Sequence, residues 1–400
     1  MHRKLLQKLL SNTNVRQWHN LQIVEARRTV RNMIKKPETW ETSLRRLAVA
    51  IVLQVSYGTE VLKDDDPYIQ IANDAMYATG NGGVPANSIV DLVPFVRYLP
   101  GCIVRDWSLR FARKWRWAIK RLHDILIAAA QAEYGDHHEN GSLVYKLLRE
   151  YNNSESHGQE QEWSLDDIKG AAGAVFIAGA DTTWATCMIF ILNMILHPEI
   201  QEKAQKELHM VIGSDRLPNF SDRPSLPYIE HIVQEIYRTV IYANAYAMAH
   251  DERDYKYPLE FNPERYDAGE QFPVGNFGFG RRVCVGRHLA DNSVWIMVAT
   301  MLSILQFCKK MSSTGTPIEP QFRFTNGGTW SVEPSFPVLS DFHKPSTLNI
   351  QPCLARWMHA LNNVVDKLLT ILVISHPEHF DYAIKLRSRK AAALVGANLV

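Results

Sequence analysis

The 400-residue chain is poor in cysteine, nearly without net charge, and lacks a leader-like apolar segment. Its five cysteines (Cys102, Cys187, Cys284, Cys308 and Cys353) are odd in number, widely spaced and free of any C-x-x-C pair. That pattern argues against a disulfide framework and a structural zinc site, and it fits a reducing compartment. A net charge of +2 provides no global field for gathering nucleic acid or acidic substrates, so no nucleic-acid partner is expected. The opening stretch "MHRKLLQKLLSNTNVRQWHN" is basic and amphipathic without an apolar h-region, so it reads as neither signal peptide nor membrane anchor. There is no internal repeat, and strand signals are scarce. The clearest is "FRFTNGGTWSV", where Asn326-Gly327 is a hairpin turn pair.

What is present is a large apolar inventory, 46% of the residues, in helical periodicity. Residues 15–57 read as amphipathic helices interrupted near Pro37, and Asn81–Gly101 as a Gly/Pro-punctuated loop. Helices resume over 105–133 and 143–151. Ser164-Leu-Asp-Asp167 has the form of a capping box, opening an apolar helix that stops at His197-Pro198. A further amphipathic helix over 199–212 is closed by Gly213, and "LPYIEHIVQEIYR" starts another. The fold class expected is mainly α.

Within the helix 168–196 the only charge beyond Lys169 is Asp181, in "AGADTT". Its length would allow a membrane span. An Asp at mid-bilayer costs roughly 2.5–3.5 kcal/mol, and the flanks are acidic and polar, which favours a buried central helix. Asp181-Thr182 reads equally as a polar pair bending a core helix or as an acid–alcohol pair facing a cavity and relaying protons. Gly179 and Ala180 remove bulk beside it, as a large flat ligand would require. Glu235 and Arg238, at i and i+3, can pair on one helix face, and Arg265 in "FNPERY" can join them. "RDWSLRFARKWRWAIKRL" is basic with Trp107, Trp115 and Trp117 interleaved, the pattern of a membrane-surface or single-strand-binding helix and also of a solvated basic face.

The stretch "FGFGRRVCVG" places Cys284 ahead of an apparent helix over 286–305, whose N-terminal dipole favours a thiolate. Arg281, Arg282 and Arg287 add positive charge. Gly280 and Gly286 allow backbone amides to approach the sulfur. Such a thiol suits a nucleophile or a single-thiolate metal ligand. A nucleophile needs a positioned base, and His288 would point elsewhere. An arginine two residues before a lone cysteine fits a haem, whose iron takes thiolate and whose propionates take guanidinium.

Together these residues resemble the cytochrome P450 superfamily of haem-thiolate monooxygenases, in the style of fungal members that act in secondary metabolism. The pattern F-x-x-G-x-R-x-C-x-G is matched by Phe277, Gly280, Arg282, Cys284 and Gly286. The oxygen-activating pattern A/G-G-x-D/E-T-T is matched by Ala178 to Thr183, E-x-x-R by Glu235 and Arg238, and the P-E-R element by Pro263 to Arg265. The resemblance implies a P450-like helical fold with a small β-part. It implies haem ligated by Cys284, with Arg282 and Arg3 on the propionates, and proton delivery by Asp181 and Thr182. Glu235, Arg238 and Arg265 would form a structural cluster, and Ala174, Ala178 and the Gly327-Gly328 turn would line substrate space.

The implied reaction inserts one oxygen atom from O2 into a C–H bond of a small lipophilic substrate. Electrons would come from NADPH through NADPH-cytochrome P450 reductase docked on the cationic face. An intact member would sit on the cytosolic face of the endoplasmic reticulum membrane. Against the family pattern the chain reads as N-terminally truncated, with an internal gap after Arg238. Residues 1–342 form a partial P450 domain, and 343–400 form an unassigned C-terminal tail. The competing expectations are a non-catalytic remnant that holds no haem productively, and a cysteine-nucleophile hydrolase.

Overall fold

The computed structural model describes residues 2–61, 66–82, 88–100, 104, 106–135, 140–157, 162–239, 248–320 and 377–396. Its helices are α1 (His2–Leu9), α2 (His19–Lys35), α3 (Trp40–Tyr57), α4 (Pro67–Gly80), α5 (Ile89–Leu92), α6 (Trp107–Gly135), α7 (Leu143–Ser156), α8 (Leu165–Leu196), α9 (Pro198–Ile212), α10 (Pro227–Thr239), α11 (Arg287–Ile304) and α12 (Arg389–Leu394). Two strands, β1 (Leu305–Lys309) and β2 (Tyr382–Leu386), pair antiparallel with Leu305 opposite Leu386. The molecule is mainly α with a small β-part.

Local chemistry sets many of the helix ends. Ser164 Oγ accepts from the Asp167 amide and Asp167 Oδ2 accepts from the Ser164 amide, both at 3.1 Å, so the capping box is complete. The break near Pro37 is a short 3-10 turn between α2 and α3. Within the expected loop 81–101, Ser88 caps α5 and Pro94 opens a 3-10 turn, so short helical pieces form where a loop was expected.

Helix α8 is the axis. It packs against α1, α3, α4, α6, α7, α9, α10, α11 and β1, which explains why it is apolar all round. It is long and apolar enough to cross a membrane, yet 78% of its most apolar window is buried inside this helical body.

The small sheet is held from the helical side. The Phe307 amide donates to Gln201 Oε1 at 2.8 Å, and Gln201 Nε2 returns a bond to the Phe307 carbonyl at 3.0 Å. Gln205 Nε2 reaches the Leu305 carbonyl at 3.0 Å. Two α9 glutamines thus satisfy an edge that a third strand would otherwise pair.

Residues 343–400 read from sequence as an unassigned C-terminal tail, and the described part of that stretch packs on the body. Phe380 and Tyr382 lie 5.1 and 4.8 Å from the Trp40 ring, and Ala392 and Val395 are buried against the core. Arg31 Nε donates to the Val395 carbonyl at 2.6 Å. The expected hairpin at Asn326-Gly327 lies outside the described residues.

Candidate haem-thiolate site

The loop from Phe277 to Gly286 turns tightly on glycine. Gly278 and Gly280 have φ of 76° and 55°, a region that costs a residue with a Cβ strain. The Cys284 amide donates to the Phe277 carbonyl at 2.6 Å and closes the loop. Cys284 is exposed, three residues ahead of Arg287, where α11 begins. Gly286 has φ of −86°, so the turn itself does not demand glycine there. At Gly280 and Gly286 a Cβ would meet nothing within 4 Å. The loop therefore presents its sulfur and two bare backbone positions to open space.

Cations gather here as expected. Arg3, from the far end of the chain, donates to the Val283 carbonyl at 2.6 Å, and Arg287 to the Cys284 carbonyl at 3.1 Å. Arg281 and Arg282 are exposed. Phe277 is half-buried, edge-on to the Tyr237 ring at 5.2 Å. Among the described contacts neither a backbone amide nor His288 bonds the Cys284 sulfur. The nucleophile reading thus gains no base, and buried Cys187, its thiol pushed up to about 12, offers no alternative.

On α8 the acid and the alcohol diverge. Asp181 is 5% exposed, and its charge acts on Arg45 of α3. The Arg45 guanidinium lies 3.9 Å from the Trp184 ring centroid. Burial lowers the Arg45 pKa, while Asp181 and Glu41 pull it back up. Thr182 points elsewhere: its hydroxyl donates to the Ala178 carbonyl at 3.0 Å, and Thr186 repeats the pattern on Thr182 at 2.9 Å. Ala174 and Ala178 are exposed and Thr182 half-exposed, at i, i+4 and i+8. They form one open stripe on an otherwise buried helix.

Gly179 is a correction to the sequence reading. A Cβ there would stand 2.5 Å from Val52 Cγ1, and Ala180 is fully buried. The small residues beside Asp181 admit a neighbouring helix rather than a flat ligand. The substrate-lining expectation at Gly327 lies outside the described residues.

Behind the loop, Glu235 is fully buried and gathers the cluster expected of it. Arg238 Nε and a terminal nitrogen reach Glu235 Oε1 at 3.0 and 2.6 Å, Arg265 Nε stands 3.2 Å from Oε2, and the Tyr266 hydroxyl donates to Oε2 at 2.8 Å. Burial next to Glu235 raises the Tyr266 hydroxyl above its ordinary range. The two guanidinium groups also bond the carbonyls of Ala249, Lys256, Tyr257, Pro258 and Glu260. A buried carboxylate shared by two arginines would be costly without such saturation of donors. This one organises the irregular chain from Ala249 to Tyr266.

Comparison with known proteins agrees with this geometry. The family description "Cytochrome P450" matches residues 1–240 and 238–326, two stretches that meet at the Glu235–Arg238 helix. The cytochrome P450 monooxygenase claT of Ampulloclitocybe clavipes is 32% identical over 369 residues, covering 84% of this chain and 73% of that protein. The chain belongs to the cytochrome P450 family. Tryptamine 4-monooxygenase of Psilocybe cyanescens is 29% identical over 385 residues, covering 83% of this P450 and 72% of that protein. A zebra fish cytochrome P450 solved with progesterone superposes with a TM-score of 0.61 at 21% identity, covering 80% of this chain and 78% of that one, which shows the shared fold. Monooxygenation is accordingly the general activity of this P450, and the family implies a haem held by thiolate.

The residues present fit that group. An exposed Cys284, open space at Gly280 and Gly286, and the bare stripe Ala174–Ala178–Thr182 leave room for a flat ligand on both elements. Arg3, Arg282 and Arg287 offer guanidinium donors of the kind that match carboxylates.

Four participants escaped sequence reasoning. Arg45 is one arginine among many on an amphipathic helix, and nothing in its spacing points to Asp181. Tyr237, Asp291 and Arg223 stand on separate elements, and no local pattern announces their contact.

Proposed function

We propose that this chain inserts one oxygen atom from O2 into a C–H bond of a small lipophilic substrate, in secondary-metabolite biosynthesis, with electrons from NADPH delivered by NADPH-cytochrome P450 reductase. The observation that carries the reading is the exposed Cys284, set on a glycine turn facing open space at the N-terminus of α11. A haem ligated there would supply oxygen activation, favoured by electron donation from thiolate.

The chain's own residues do the rest. Ala174 and Ala178 leave the α8 stripe without bulk, so a substrate can lie along it. The Thr182 hydroxyl, anchored by its bond to the Ala178 carbonyl, is placed to donate or pass a proton on that stripe. Asp181, buried and held toward Arg45, supplies the carboxylate of the acid–alcohol pair one residue away. Arg3, Arg281, Arg282 and Arg287 make the outer face of the Cys284 loop positive, which suits an acidic reductase surface. The names of relatives and neighbours, one acting on tryptamine and one solved with progesterone, support a small lipophilic substrate.

The proposed location is the cytosolic face of the endoplasmic reticulum membrane. Leu92, Phe95, Tyr98 and Trp107 are exposed beside Arg110 and Arg113, a basic, aromatic rim suited to a lipid surface.

One observation favours a second reading, a non-catalytic remnant. A cavity of about 660 Å³ opens beside Arg238 and Thr239, where the two family matches meet. The experiment that decides is the reduced, CO-bound absorbance spectrum of protein expressed with haem supplied, beside Cys284→Ala. A strongly red-shifted Soret band lost in the variant supports the enzyme. No haem, or an unshifted band, supports the remnant.

A further inference from the structure

The loop that carries Cys284 has its two ends tied to one side chain. At its start, the Phe277 ring is edge-on to Tyr237 of α10 at 5.2 Å. Because the Phe277 carbonyl accepts the Cys284 amide at 2.6 Å, the position of Phe277 passes directly to the cysteine. At the other end α11 begins, and in its second turn Asp291 accepts a hydrogen bond from the Tyr237 hydroxyl at 3.1 Å. The ring of Tyr237 thus fixes one end of the loop and its hydroxyl fixes the other.

We propose that Tyr237 and Asp291 are a positioning pair for the Cys284 thiolate, holding the loop so that the sulfur is presented at one place and orientation.

The pair is itself braced. Arg223, just before α10, stands 2.8 Å from Asp291 Oδ2 and is gripped by Glu230 at 2.9 and 3.1 Å. The same guanidinium donates to Asn292 Oδ1 at 3.3 Å and lies 5.5 Å from the Trp295 ring centroid. Asn292 in turn meets His19 Nε2 at 3.2 Å, which ties α2 into the network. Asp291 therefore cannot follow α11 outward without breaking an ion pair and a tyrosine hydrogen bond. Tyr237 is buried, and its hydroxyl remains a donor at every physiological pH. A hydrogen-bonded loop with both ends fixed needs no contact from either residue to the sulfur. It restricts the sulfur by restricting the backbone.

The inference rests on Cys284 being the haem ligand, and the test separates the two ideas. In haem-free wild type, Tyr237→Phe and Asp291→Leu, amide hydrogen exchange is followed at the Cys284 and Cys308 peptides by mass spectrometry, because the Cys284 amide is held by the Phe277 carbonyl and exchanges only when the loop opens. Tyr237→Phe keeps the ring on Phe277 and removes only the hydroxyl, and Asp291→Leu removes the acceptor. A lost hydrogen bond predicts Cys284 exchange about fivefold faster in both variants, with Cys308 on β1 unchanged. Equal rates at Cys284, or a parallel rise at Cys308 that marks general loosening, overturns the proposal. If Tyr237→Phe does not fold, Asp291→Leu decides by the same criterion. Where wild type takes up haem, the variants should also show a larger unshifted fraction in the reduced CO spectrum, and a wild-type spectrum in both overturns the pair. A wild type that takes no haem counts against the functional reading alone, because the exchange comparison still decides the pair.

Discussion

Val52 of α3 occupies the notch left by Gly179 of α8: a Cβ at Gly179 would stand 2.5 Å from Val52 Cγ1. The contact lies in the most extensive helix pairing among the described residues, two residues from Asp181. Gly179→Ala gains roughly 1 kcal/mol of helix propensity but overpacks the notch by about 1–3 kcal/mol. Combined with Val52→Ala the overpacking disappears. A double-mutant cycle by urea unfolding should therefore show a favourable coupling of about 1 kcal/mol or more. Strict additivity would mean that the notch accommodates a methyl group.

Arg45 supplies the charge that acts on Asp181, deep between α3 and α8. Arg45→Met leaves that carboxylate buried without its counter-charge and should cost about 3 kcal/mol. Adding Asp181→Asn should recover part of the loss, because no charge is then stranded. The check is chemical denaturation of both variants, and a double variant less stable than Arg45→Met refutes the coupling.

Glu235 is the shared acceptor for Arg238, Arg265 and Tyr266. Glu235→Ala strands two buried guanidinium groups and should destabilise by about 3–5 kcal/mol. The first segment to loosen should be the chain that the arginines hold, Ala249 to Tyr266. Hydrogen exchange resolved by peptide would show whether protection falls there before it falls in α8.

Asp222 accepts from Arg216 at 2.7 Å on each oxygen, and this pairing holds its carboxyl below the ordinary value of 3.8. A depressed folded-state value means that the carboxylate stabilises the fold fully above about pH 4, and that this stability is lost as pH falls through the lowered value. Melting temperatures between about pH 6 and 2 should fall more gently for Asp222→Asn than for wild type on the acid side, with the two curves parallel above about pH 5.

Sequence and structure divide at particular residues. The capping box at Ser164 and Asp167, the cap at Gly213 and the glycine turn before Cys284 follow from chemistry within a few residues, and each stands where sequence reasoning set it. The pairing of Glu235 with Arg238 is equally local, since i and i+3 share a helix face. Those rules sufficed for a mainly α fold with Cys284 at a helix start, and the motif resemblance supplied the P450 family.

They did not reach the contacts between elements. The pairing of Leu305 with Leu386 joins residues on either side of a long intervening stretch, and a five-residue strand beside a helix end carries no decisive period. Gly179 looked like room for a ligand because a glycine shows only that a side chain is missing, and packing decides what fills the space. Asp181 and Thr182, adjacent in sequence, point to different surroundings because successive helical residues project about 100° apart. The sequence determined the long helices α2, α3 and α6 to α11 and the caps that end several of them. Tertiary structure alone decided which helix faces meet, because burial and charge compensation are settled by neighbours distant in the chain.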